Sequence, residues 1–316
     1  MANSGKRHDV SVVIPCFNAE RYLAEAINSV LAQTELPAEI IVVDDKSSDK
    51  SVHVARTFGD NVRVIESSTN SGRPAVPKDI GLDAASSEFV AFLDADDIWV
   101  PRKLELQMPE FRVPEVGLVY GRAQTFKTGY PPHGTPWPPA LPAGNVVVEF
   151  YFACCAPNST VIARRRALVE AGGFTRDREI LGEDYELWLK VAFAWQVAAR
   201  PEVLMLYREH TGQMTSQRMV QARGHVQVES RYAEAFRATS GMSEDERRRR
   251  AIDRLLGHIN VAFYNERNLT LARQLLDLLN ETFPDLDAPT RRLARRLYAK
   301  TFLPPALFRL RDMVSQ

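Results

Sequence analysis

The chain has 316 residues, 45% hydrophobic and 25% charged, and its 40 basic and 40 acidic residues cancel. This is the composition of an ordinary globular protein, long enough for one large domain or two moderate ones. No uninterrupted apolar run approaches the ~18 residues that a membrane-spanning helix needs.

The charge is uneven along the chain. Residues 1–215 carry 22 basic and 28 acidic groups and residues 216–316 carry 18 and 12, so a boundary is expected near residue 215. Three cysteines, Cys16, Cys154 and Cys155, are odd in number and lack metal-ligand spacing. Together with an N-terminal MANSGKRHDV that has no apolar signal segment, they point to a reducing cytoplasm rather than secretion.

In chain order, VSVVIP (Val10 to Pro15) is a near-continuous β-branched run, the pattern of a strand buried on both faces. Asn18 is placed to cap an amphipathic helix with Leu23, Ile27 and Val30 on its inner face, ending near Gln33. IIVVD (Ile40 to Asp44) is a second buried strand, breaking at DDKSSD, where Ser48 or Asp49 can cap a helix to about Phe58. A strand over Asn61 to Glu66, a helix over Val76 to Ala85 and a strand from Phe89 to Leu93 continue the rhythm of right-handed βαβ units and a mostly parallel sheet.

The strand from Phe89 ends abruptly at Asp94, Asp96 and Asp97, three carboxylates just past its carboxyl end, where open α/β sheets bind ligands. Carboxylates this close repel unless a cation lies between them, and hard Mg²⁺ or Mn²⁺ takes such oxygens with substrate phosphates completing its shell. The loop therefore reads as a metal and diphosphate site, against the plainer alternative of a solvated acidic turn. Neither GxGxxG nor GxxxxGK[ST] occurs, so phosphate charge has to be met by other means.

Beyond a strand at Val116 to Tyr120, the proline-rich TGYPPHGTPWPPALPAG precludes regular helix or central strand and reads as a surface insertion or a lid. A strand over Ser159 to Ala163 and a helix closed by Gly172 and Gly173 follow. In ILGEDYELWLKVAFAW, Glu183 and Asp184 fall in the first turn of a helix, as dipole-favoured caps or as a general base facing a cleft. A strand pair, Gln196 to Ala199 and Val203 to Tyr207, leads to Arg208 and His210 on one face. Residues 216–316 read as helical, and the Arg247 to Arg250 run as a solvated face rather than a nucleic-acid contact. RRLARRLYAKTFLPPALFRLRDMV, near the end, either docks on its own core or lies on an anionic bilayer.

Taken as an ordered series, VVIPCFN, IIVVDDKSSD, the NSG at Asn70 to Gly72 with KDIGL at Lys78 to Leu82, FLDADD, GEDYELW and YREH resemble the motifs of family 2 glycosyltransferases over roughly residues 10–215. The resemblance implies a GT-A, Rossmann-like α/β fold with residues 1–215 as the catalytic domain and 216–316 as a helical region. It implies an inverting, hexosyltransferase-like enzyme with a nucleoside diphosphate-sugar donor, a UDP-sugar first, and a glycan, lipid-linked or small-molecule acceptor. The donor-binding set so implied is Pro15, Asn18, Asp44, Asp45, Gly72, Lys78, Asp94, Ala95 and Arg208. Asp96, with Asp94 and His210, would hold Mg²⁺ or Mn²⁺, and Asp184, paired with Glu183, would be the base.

Departures from the family pattern bear on donor identity. Lys78-Asp79 stands where Arg-Asn is common, Arg73-Pro74 and Pro77 stiffen a loop usually made of small residues, and Lys46 replaces a frequent Gly. The competing readings are a sugar-phosphate nucleotidyltransferase, which would normally show a Gly-rich basic loop after the first strand, and a non-catalytic nucleotide- or glycan-binding homologue.

Overall fold

A computed structural model describes residues 6–153, 155–177, 180–210 and 218–302. Cys154 and the apolar residues Leu303, Leu307, Phe308 and Leu310 of the C-terminal stretch lie outside them. The chain divides into two compact units, Met1–Gln213 and Met214–Gln316.

The first unit opens with β1 (Val10–Cys16), α1 (Leu23–Leu31), β2 (Glu39–Asp44), α2 (Ser51–Arg56), β3 (Arg63–Glu66), α3 (Ala75–Ala84) and β4 (Phe89–Phe92). It continues with β5 (Ile98–Trp99), α4 (Lys103–Gln107), β6 (Val116–Phe126), β7 (His133–Trp137), α5 (Val147–Phe152), β8 (Ile162–Arg164), α6 (Arg165–Glu170), α7 (Glu183–Ala192) and β9 (Gln196–Arg208). The sheet order is β3-β2-β1-β4-β8-β6-β9-β5, with β7 on the side of β6.

Every residue of β1 is buried, Ser11 included, as its near-continuous apolar run requires when helices cover both faces. Leu23, Ala26, Ile27 and Val30 of α1 enter the same core, matching their helical spacing. On the other face α3 lies so close to β1 that a Cβ on Gly81 would sit 2.2 Å from Val13 Cγ1, so only glycine fits there. The parallel expectation holds across β3-β2-β1-β4. Beyond β4 the sheet is mixed, β8, β5 and β7 running antiparallel to their neighbours and β9 parallel to β6.

Three local expectations are corrected. Asn18 does not cap α1: it has φ 49°, and its Oδ1 accepts the Ser48 N–H at 2.8 Å, stitching the end of β1 to the loop after β2. The strand pair expected over 196–207 is one strand, β9, with register shifts opposite Gly121 to Ala123 that absorb Pro201 without a turn. Part of the proline-rich segment does form a strand, β7, with Pro136 tolerated because it is an edge.

Lys46 also has a left-handed backbone, φ 63°, which explains why glycine suits this turn. Lys46 is exposed, so Lys46→Gly removes strain without opening a cavity. The expected result is a gain of about 0.5–1 kcal/mol, the ~1–2 kcal/mol left-handed penalty less glycine's extra chain entropy. Thermal unfolding checks it, and an unchanged or lower midpoint contradicts it.

The second unit is helical: α8 (Arg218–Arg231), α9 (Ala233–Ser240), α10 (Glu244–Asn260), α11 (Leu269–Thr282) and α12 (Ala288–Lys300). Leu255 and Ile259 of α10, with Leu275, Leu276 and Leu279 of α11, form its core. In the Arg247 to Arg250 run, Arg247 pairs with Glu244, Arg248 with Asp285 and Arg250 with Glu246.

Candidate active site

Parallel pairing of β1 with both β2 and β4 brings the carboxyl ends of all three strands to one edge. At the end of β2, Asp44 Oδ2 accepts the Ser47 N–H at 2.9 Å. Its other oxygen, Oδ1, is buried and has no hydrogen-bond partner. Asp45 accepts the Ser71 N–H at 3.0 Å and lies 2.7 Å from Ser71 Oγ, so it secures the loop that carries Gly72, φ 71°. Pro15 is buried in register with Val43.

The acid loop follows β4. Asp94 is half-buried; its N–H donates to Ser159 Oγ at 3.0 Å and its Oδ1 accepts from Asn158 Nδ2 at 2.9 Å. Desolvation raises its pKa, Lys78 opposes that, and the charge of Asp96 adds to the rise. Ala95 is buried between the two acids. Asp96 remains part-exposed, with Oδ2 2.9 Å from His210 Nε2.

Asp97 is different. It is 1% exposed, its Oδ2 accepts from Ser159 Oγ at 2.6 Å and its Oδ1 from the Arg208 N–H at 3.3 Å. Burial, then Asp94 and Asp96, push its pKa well above the ordinary carboxyl range. The loop thus presents two carboxylates rather than three, and the third ties it to the neighbouring strands. Asn158 and Ser159 brace this loop from a short turn, Asn158–Thr160, so the strand expected from Ser159 begins only at Ile162; a polar Asn-Ser-Thr beside a buried run is the signal the sequence offers.

Arg208 is 1% exposed and lies beneath the loop. Its Nε donates to the Asp96 carbonyl at 2.8 Å, Nη1 to Thr128 Oγ1 at 2.5 Å and Nη2 to Glu25 Oε2 at 2.7 Å. The guanidinium sits between the rings of Tyr22 and Phe126, 4.6 and 4.5 Å away. The alternation that puts Arg208 and His210 on one face brings both to Asp96, one through its backbone and one through its carboxylate.

From the opposite direction comes α7. Glu183 and Asp184 occupy its first turn; Asp184 Oδ1 accepts the N–H of the next residue, Tyr185, at 2.8 Å, and no side chain caps the helix at Gly182. Trp188 of the same helix packs on Phe92 and Phe174, which fixes its inner face against β4. Lys78 joins the two halves. Its buried Nζ donates to Glu183 Oε1 at 3.0 Å and lies 3.9 Å from Asp94 Oδ1. Burial alone disfavours its charge, but Glu183, Asp94 and Asp184 outweigh it and raise its pKa. Burial and the Glu183 charge push Asp184 up to about 6 against the pull of Lys78.

Asp79, the neighbour of Lys78 and a departure from the family pattern, does not face this cluster with a free carboxylate. Oδ1 accepts the Phe174 N–H at 3.2 Å and Oδ2 accepts from Arg176 at 2.9 and 2.7 Å.

The mixed α/β fold matches that of GT-A glycosyltransferase structures. The model of "Glycosyl transferase family 2" matches residues 11–168, and the chain belongs to that family. This removes the nucleotidyltransferase alternative. An uncharacterized glycosyltransferase of Nostoc sp. is 34% identical over 51% of this chain and 52% of its own length. UDP-Glc:alpha-D-GlcNAc-diphosphoundecaprenol beta-1,3-glucosyltransferase of Escherichia coli is 36% identical over 35% and 44%. The chain thus spans about half the length of the curated relatives it matches.

Among solved structures, Staphylococcus aureus TarS 1-349 in complex with UDP-GlcNAc superposes with a TM-score of 0.65 at 19% identity, over 93% of this chain and 89% of that one. Mannosyltransferase PcManGT from Pyrobaculum calidifontis, in complex with GDP-Man and Mn2+, gives 0.57 at 18% over 96% and 83%. At these identities the likeness is one of fold.

Proposed function

We propose that this protein is an inverting glycosyltransferase that moves a sugar from a nucleoside diphosphate-sugar to an acceptor hydroxyl, with the first unit as its catalytic domain. The observation that carries this reading is Lys78, whose amine holds Glu183 at the start of α7 and lies beside Asp94 at the end of β4. The acid loop and the acidic helix start are thereby parts of one cluster.

In this reading Asp184 takes the proton of the acceptor hydroxyl as its oxygen attacks the anomeric carbon, while the bond from that carbon to the diphosphate breaks on the far side. One carboxylate suffices for such a displacement, and no nucleophilic Asp or Glu is required. Glu183, paired with Lys78, keeps the amine positioned beside Asp94 and Asp184. Asp44 receives the nucleoside: its buried, partnerless Oδ1 is an acceptor that a ribose hydroxyl or base N–H would satisfy. Pro15, Asn18, Asp45 and Gly72 shape the backbone around it, and Arg208 supports the acid loop from below.

The residues present fit a divalent cation. Among the described residues no three His, Cys, Asp or Glu side chains form a metal cage, but Mg²⁺ and Mn²⁺ sites commonly use one or two carboxylates and complete the shell with phosphate oxygens. Asp96, with His210 at 2.9 Å and Asp94 on the same loop, would hold it. Such an ion offsets charge developing on the leaving diphosphate as a Lewis acid. The complexes of fold neighbours with UDP-GlcNAc and with GDP-Man and Mn2+ support a nucleotide-sugar donor and a divalent cation.

A thermal-shift panel of UDP, GDP, CDP, ADP and dTDP, each with and without Mn²⁺ or Mg²⁺, tests the reading. One nucleotide should raise the unfolding midpoint when the cation is present, by about 2.7 kcal/mol of added stability at a hundred times its Kd. No response to any nucleotide under either condition would falsify it.

Among the described residues no helix is long and apolar enough to cross a membrane. Peripheral contact is a separate matter. Arg291, Arg292, Arg295 and Arg296 of α12 are exposed, with Leu293 42% exposed among them, and opposite them Ala294 and Leu297 are buried. Such a face suits an anionic bilayer, at about 1 kcal/mol for each basic residue near the surface. Vesicles containing phosphatidylglycerol should float the protein and neutral vesicles should not, and the Arg292→Glu, Arg296→Glu variant should lose flotation. Equal behaviour on both vesicle types removes this part of the proposal.

A further inference from the structure

The lead-in to α7 is held from outside itself. The helix has Gly182 at its N-cap and no side-chain cap there, so beyond the Tyr185 N–H that Asp184 accepts, its first turn has little of its own to define where Asp184 points. Two side chains on either side of Lys78 in the chain, one just before α3 and one within it, reach across to it. Arg73, just before α3, donates from Nη1 to the Asp177 carbonyl at 2.5 Å and from Nη2 to the Ile180 carbonyl. Its own N–H is held by Ser71 Oγ at 3.2 Å, and that hydroxyl lies 2.7 Å from Asp45 Oδ2.

Asp79, 9% exposed in the middle of α3, takes the Phe174 N–H and the Arg176 guanidinium. Gly173 makes room: a Cβ there would stand 2.6 Å from Asp79 Oδ1. Phe174 in turn packs between Phe92 and Trp188, the residues that seat α7 on β4.

We infer that Arg73 and Asp79 are positioning residues that fix the backbone at Phe174, Asp177 and Ile180, and so hold Asp184 beside Lys78 and the acid loop. Both depart from the family's usual residues, and both form the contacts described above rather than pointing free carboxylate or guanidinium at a diphosphate. The inference rests on Asp184 being the base, and it explains why this chain can do without a helix cap at the point where one carboxylate must be aimed. Misplacing a catalytic group by about 1 Å costs about a hundredfold in rate, so loosening either contact should be felt in turnover rather than in donor binding.

The test uses the full chain with Arg73→Met, Asp79→Ala, Asp79→Asn and Asp184→Asn, measuring kcat, nucleoside diphosphate affinity and hydrogen exchange of the amides of residues 183–187. Arg73→Met and Asp79→Ala should lower kcat by about 10- to 100-fold, leave nucleotide affinity within about twofold, and speed exchange in the first turn of α7 while the amides of β1 stay protected. Asp79→Asn can still accept the Phe174 N–H and should be milder than Asp79→Ala in both readouts. Normal kcat and unchanged α7 exchange in both variants, with Asp184→Asn inactive, overturns the inference alone. An active Asp184→Asn overturns the base assignment, while the exchange data still decide whether Arg73 and Asp79 hold the helix start. If Asp79→Ala does not fold, Arg73→Met and Asp79→Asn carry the same comparison.

Discussion

Asp184→Asn is expected to cut sugar transfer by about 10²- to 10⁴-fold while nucleoside diphosphate binding stays within about twofold. Asparagine has nearly the same shape and its Oδ1 can still accept the Tyr185 N–H that Asp184 accepts now at 2.8 Å, so the first turn of α7 is preserved. Lys78 retains Glu183 at 3.0 Å as its counterion, so the cluster does not lose its charge balance. What goes is the lone pair that can take a proton. The wild-type pH profile supplies a second check. With its carboxyl pushed up to about 6 by burial and Glu183, Asp184 is ionised above that pH and protonated below it. Turnover should therefore fall as pH drops through about 6, with no such limb in the residual activity of the variant.

The same shift has a stability consequence of opposite direction. A carboxyl whose folded pKa lies above its unfolded value favours the fold while protonated, and that contribution is lost as pH rises through about 6. Activity and this part of stability are thus set against each other across one titration. Normal transfer by Asp184→Asn would show that another group is the base.

Asp96→Ala is expected to remove the cation-dependent part of nucleotide binding, at about 3 kcal/mol or about a hundredfold in kcat/KM. The fold should survive, because Arg208 bonds the backbone carbonyl of residue 96 rather than its carboxylate, and that 2.8 Å contact needs no side chain. His210 loses its 2.9 Å partner but keeps its ring contact with Tyr22. The thermal-shift readout separates the cases: with Mn²⁺ and the chosen nucleotide, the wild type should shift and the variant should not. A variant that shifts as far as the wild type would place the cation elsewhere.

The parallel half of the sheet could be read from the chain because β1, β2 and β4 are buried on both faces and so carry near-continuous apolar runs. The placement of Asp94, Asp96 and Asp184 could be anticipated because the first two follow such a strand and the third lies in the first turn of a helix. Asp97 could not be told from Asp96 by spacing. What distinguishes them is Ser159 and the Arg208 N–H, partners more than sixty residues away in the chain. The partners of Asp79 are equally hidden, because local sequence does not reveal that Gly173 leaves it room to take the Phe174 N–H. The continuity of β9 was hidden by Pro201, which breaks strands in the interior of a regular ladder but is absorbed by the register shifts against β6.

The sheet also ends in a way that bears on how molecules meet at high concentration. One margin is β3, four residues long with Arg63 and Glu66 exposed; the other is β5, of two residues; and β7, beside β6, carries Pro136. A short charged strand, a two-residue stub and a strand missing an amide donor make poor templates for a neighbour's backbone. Strand-to-strand polymerisation is therefore discouraged at each margin, leaving the acid loop and the helix beside it to engage small ligands without a competing sticky border.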